Sequence, residues 1–120
     1  MSQGIAHFAL GAALTALVVA FLLPFVPYPR TVTLAGGGWA LVPDAPHLVE
    51  SPTMEALHDS AWADLFWFHR ALDRWDVSDS TEVAALFVAA LLFATLVAEY
   101  RTYRWQTRHR RRSHVDETPQ

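Results

Sequence analysis

The chain has 120 residues, 52% of them hydrophobic, with five Trp and seven Phe. A soluble domain this small buries only about 60–70% of its unfolded surface, so this apolar load points to a second apolar solvent, the bilayer. The absence of cysteine excludes disulfides, thiolate zinc sites and cysteine nucleophiles, and the net charge of −3 conceals an uneven layout. Residues 44–79 carry eight acidic groups against Arg70 and Arg74, whereas six Arg crowd into 101–112.

Residues 5–26, IAHFALGAALTALVVAFLLPFV, hold no formal charge over the ~20 residues that a transmembrane helix needs. Gly11, Ala12 and Ala13 offer a small-residue face for close helix packing. The lack of Arg or Lys in residues 1–4, and of an A-x-A site before a soluble domain, argue against a cleaved signal peptide. Pro24, Pro27 and Pro29 end the segment, and Arg30 marks a membrane edge.

Residues 31–42, TVTLAGGGWALV, are apolar but short: as a helix they span ~18 Å against ~30 Å of hydrocarbon. Gly36, Gly37 and Gly38 weaken the helix. A short crossing, a re-entrant segment and a strand-like loop all fit. Pro43, Pro46 and Pro52 keep 44–52 irregular, and Ser51-Pro52-Thr53-Met54-Glu55 reads as a helix start.

An amphipathic interfacial helix is expected over about 53–76. At roughly 100° per residue it puts His58, Trp62, Leu65, His69, Leu72, Asp73 and Asp76 on one side. Residues 77–82 are rich in N-cap types. The second clear membrane helix covers about 82–100, with Tyr100, Tyr103 and Trp105 as an interfacial belt. The Arg cluster follows, and 113–120 reads as a polar, disordered tail. The expected architecture is all-α: a small integral-membrane helical bundle, one domain over residues 1–112.

The positive-inside rule puts the Arg cluster in the cytoplasm of a multi-pass cell-membrane protein. With two crossings, residues 27–79 form an outside domain and the N-terminus is inside. With three, 31–43 also crosses and His7 shares the outer face with Asp44, His47 and the amphipathic helix. The second arrangement is preferred because it puts Arg30 with the other Arg residues.

Some residue groups carry chemistry. His7 is an ionisable side chain in an apolar helix, a functional position by default, although an interfacial His satisfied by water or backbone also fits. Asp44 and His47, three apart between prolines, suit a shared divalent ion such as Zn²⁺ or Mn²⁺, or an ordinary acidic turn. His69 and Asp73 are an i, i+4 pair able to converge, as ligands, as a His oriented by a carboxylate, or as a local hydrogen bond. His58 lies eleven residues from His69, ~16 Å along an unbroken helix. Ligand bonds are only about 2 Å, so His58 joins His69 only if the helix breaks near 59–61. The Arg cluster is expected to meet anionic lipid of the bilayer rather than nucleic acid. A homo-oligomer or a membrane partner stays open.

His7-Phe8-Ala9-Leu10-Gly11 in the first membrane helix, with Pro43-Asp44-Ala45-Pro46-His47-Leu48 closing a small-residue apolar segment, resembles the small prokaryotic membrane-bound, metal-dependent hydrolase family. His69-Arg70 looks like that family's His-Arg pair, and His58-Asp59-Ser60 echoes its His-Ser element in reversed order. The resemblance implies a divalent metal site from His7, Asp44, His47 and His69 at the outer membrane face. A catalytic metal there would activate water for hydrolysis of a lipid-like or phosphorylated substrate, with Asp73 or Asp59 as general base. The competing expectation is a non-enzymatic accessory protein whose His/Asp residues hold helices or a partner together.

Overall fold

The computed structural model describes residues 4–43, 52–76 and 80–116. Among them the chain is all-α: α1 (Gly4–Phe21), α2 (Pro29–Ala40), α3 (Pro52–Asp59), a 3₁₀ turn (Ala61–Leu65), α4 (His69–Trp75) and α5 (Thr81–Asp116). Helix α1 is central and packs on both α2 and α5.

The first helix stops at Phe21, short of the expected 26. Pro24 has no N–H to donate and its ring opposes a helical preceding turn. The chain turns over instead through Leu22 and Leu23, whose N–H groups both reach Val18 O. Tyr28 adopts φ 55°, and Pro29 opens α2 in the first helical position, where its missing N–H costs nothing.

Residues 29–40 form a helix despite Gly36, Gly37 and Gly38, and contact with α1 explains why glycine is there. A Cβ on Gly36 would lie 2.6 Å from Thr15 Cβ, and one on Gly11 would lie 2.6 Å from Ala40 Cβ and 2.8 Å from Gly36 O. Such approaches are closer than side chains tolerate, so the α1–α2 interface depends on absent side chains, as small-residue helix contacts do. Gly38 differs: nothing described lies within 4 Å of its Cβ position.

The contacts fix the directions. Gly4 neighbours Leu41 and Gly11 neighbours Gly36, so α2 runs antiparallel to α1. Ala6 packs with Ala84, and Ala13 and Ala16 pack with Ala94, so α5 runs parallel to α1. The end of α1 meets Arg101, whose Nε donates to Ala20 O at 2.9 Å while its guanidinium covers the Phe21 ring. Arg30 pairs with Glu99 at 3.3 Å at that same end. His7 and the ends of α2 and α4 therefore gather at one end of the bundle, and Arg30 and Arg101 at the other.

The expected single helix over 53–76 is three pieces. Ser60 leaves the helical region (ψ 160°) and its hydroxyl donates back to Leu57 O at 2.8 Å. Trp67 and Phe68 then both take positive φ, 55° and 59°, a conformation that costs an L-residue about 1–2 kcal/mol. Phe68 brings no capping group to α4, and the Asp64 carboxylate supplies it by accepting from Ala71 N–H at 2.8 Å. Trp39 pins the turn to α2: its Nε1–H donates to Leu65 O at 3.3 Å and its ring stacks on Phe66.

Buried Asp76 accepts from Ser80 N–H, and Ser80 Oγ accepts from Val83 N–H at 3.2 Å as the N-cap of α5. Helix α5 continues to Asp116, beyond the expected end near 100 and into the segment read as a tail; 117–120 lie outside the described residues. Among the described residues, α1 and α5 are long and apolar enough to cross a membrane. The apolar window of α1 is half buried, whereas only 11% of the α5 window is covered by protein. Leu86, Leu92, Phe93 and Leu96 are more than half exposed.

Candidate metal centre

His7 sits one turn into α1, His58 in the last turn of α3, and His69 and Asp73 on successive turns of α4. His7 and His69 are fully buried, at 1% and 0% exposure. Their rings stack with centroids 3.8 Å apart and planes 20° from parallel. His58 meets the His69 ring edge-on at 5.2 Å. The break between α3 and α4 makes this possible, folding back a segment that would otherwise hold the two rings well apart.

Asp73 lies in the middle of the three imidazoles. Its Oδ1 is 2.9 Å from His7 Nε2, and its Oδ2 is 3.6 Å from both His58 Nε2 and His69 Nε2. The opposite ring nitrogens point to backbone carbonyls: His58 Nδ1 to Pro43 O and His69 Nδ1 to Ala40 O, both at 3.0 Å. A carbonyl oxygen only accepts, so each Nδ1 carries the hydrogen. In a neutral ring that leaves the Nε2 lone pair facing Asp73. Metal-binding histidines are oriented in the same way, with the second ring N–H donated to a carbonyl or carboxylate.

His7, His69 and Asp73 each offer one ligand atom, and these atoms lie within 4.8 Å of one another. Two ligand atoms at 2.0–2.2 Å from one ion are separated by at most ~4.4 Å, so the widest spacing in the group exceeds that span by no more than a few tenths of an ångström. The group can hold a divalent cation. His58 Nε2 faces the same carboxylate oxygen as His69 Nε2 but is not one of that group.

Of the residues named from sequence, His7 and His69 come together and Asp73 lies between them. Asp73 is thus enclosed by three imidazoles, a position that suits the ligand role, one of the two roles expected of it. Asp59 is exposed at the end of α3 and is not part of the metal-competent group. Asp44 and His47 lie outside the described residues. Sequence reasoning missed the carbonyls of Ala40 and Pro43, which no side-chain pattern reveals. It also missed the capping role of Asp64, whose spacing of five residues from His69 was the available signal.

Comparison with known protein families, with curated proteins and with solved structures finds no match.

Proposed function

We propose that this chain is an integral-membrane protein that holds one divalent cation at the His7 end of its helices. The observation that carries the reading is the convergence of His7, His58 and His69 on Asp73, with two Nδ1–H groups tied to backbone carbonyls. A nitrogen-rich set with one carboxylate suits Zn²⁺ better than Mn²⁺, which favours oxygen donors. Asp44 and His47 follow Pro43 by one and four residues, and their expected part in the ligand set is kept as part of the proposal. The exposed apolar flank of α5 supports the bilayer as its surroundings. The antiparallel path of α2 favours three crossings, with the metal end outside and the Arg end in the cytoplasm.

The activity proposed is metal-dependent hydrolysis, in line with the family resemblance. Zinc held by His7, His69 and Asp73 would supply a water of lowered pKa and would polarise a scissile group. Trp62 in the 3₁₀ turn, Phe68 just before α4 and Trp75 at its end are exposed and suit an amphiphilic ester or phosphoester presented at the membrane interface.

Elemental analysis of detergent-purified full chain tests the metal reading. About one zinc per chain, lost in His69→Ala and in Asp73→Ala, is expected. Folded, metal-free protein that takes up no added zinc would falsify it and leave the His/Asp group as a hydrogen-bonded contact between helices. That second reading draws on the 2.9 Å contact between His7 Nε2 and Asp73 Oδ1, a hydrogen bond between α1 and α4.

A further inference from the structure

The other end of the molecule carries a feature that the metal reading does not use. Helix α1 ends at Phe21, level with Arg101, but α5 runs on for fifteen more residues, about 22 Å. No acidic residue occurs from 100 to 115. At about 100° per residue, Arg101, Arg104, Arg108, Arg111 and Arg112 fall within an arc of roughly 100°, and only Arg110 lies opposite. All five are exposed. Arg101 also donates to Ala20 O and covers the Phe21 ring, and Arg104 lies over the Tyr100 ring.

We propose that this stripe is a docking surface for anionic phospholipid headgroups on the membrane face at the Arg end. The proposal rests on the reading that α5 crosses a bilayer. Three observations favour a lipid surface as the occupant. The stripe begins where the exposed apolar flank of α5 ends. Tyr100, Tyr103 and Trp105, all more than half exposed, ring that junction as interfacial aromatics do. The neighbouring α1–α2 turn shows Leu22, Phe25 and Tyr28 at the same end, each at least 70% exposed. A helix that leaves the bilayer presents its basic residues at increasing height. Arg108 stands about 6 Å beyond Arg104, and Arg112 about 12 Å beyond, against a screening length of about 8–10 Å. The contribution of each Arg therefore declines along the helix.

The test uses the full chain reconstituted in phosphatidylcholine vesicles containing phosphatidylserine, with association of spin-labelled phosphatidylserine measured against spin-labelled phosphatidylcholine. The expected result is a preference for phosphatidylserine that collapses at high salt. Arg104→Gln should reduce it up to about fivefold, the factor for one basic residue at an anionic surface. By screening, Arg108→Gln should reduce it about twofold and Arg112→Gln less than about 1.5-fold. Embedded protein with no preference, or equal losses at the three positions, overturns the stripe alone. Displacement of phosphatidylserine by single-stranded RNA at moderate salt assigns the stripe to nucleic acid and also overturns it. A chain that stays out of the vesicles on flotation overturns both the stripe and the bilayer reading.

Discussion

The α1–α2 contact and the α3–α4 segment meet around His7, and they are held in opposite ways. In the hairpin, helices approach because side chains are missing: Gly11 sits against Ala40 and Gly36 against Thr15. In the α3–α4 segment the chain is held by polar groups that each need a particular partner: Asp73 among three imidazoles, Asp64 on the α4 terminus, two His on backbone carbonyls. Small-residue packing is intolerant of added volume and indifferent to charge. The polar segment should show the reverse, and substitutions can break each selectively.

The largest effect is expected at Gly36. Gly36→Val places two methyl groups in the Thr15 side chain and should cost about 3 kcal/mol or more, read as a lowered SDS midpoint in micelles. Asp73→Ala removes the carboxylate that faces His7 Nε2 at 2.9 Å in a buried site. Without metal it should cost about 2 kcal/mol, the scale of losing a buried hydrogen-bond partner, by the same titration. Asp64→Ala removes the α4 cap and should cost about 1 kcal/mol, with faster amide exchange at Ala71. The smallest effect has the opposite sign. Gly38→Ala meets open space among the described residues and should stabilise α2 by up to about 1 kcal/mol. If Gly36→Val and Gly38→Ala shift the midpoint alike, the packing account of α2 is wrong.

Periodicity and composition were enough to recognise α1 and α5 as apolar helices, and Pro24 marked where the first one ends, although the length expected for it ignored that mark. The glycine run was harder. Propensity alone makes Gly36, Gly37 and Gly38 helix-weakening, and only the neighbouring α1 surface shows that two of them face Thr15 and Phe8. The break at Ser60 was legible as a condition: His58 could join His69 only if the helix parted near 59–61. The left-handed pair Trp67-Phe68 that completes the reversal was not legible, because nothing in two consecutive aromatics announces positive φ. It is held by the Trp39 contact and the Asp64 cap, interactions reaching from other parts of the chain. The site was legible in the same measure. His7 stood out as an ionisable residue in an apolar helix, and His69 and Asp73 as an i, i+4 pair, while the place of Asp73 among three imidazoles required the fold.

Zinc K-edge X-ray absorption on the purified full chain tests the central claim most directly, because it counts the imidazoles at the metal. The account predicts three nitrogen-donor rings at ~2.0–2.1 Å from His7, His58 and His69 in the native chain, a fourth where His47 also binds, and one fewer in His58→Gln. A spectrum without imidazole scattering, or one unchanged by His58→Gln, would contradict it.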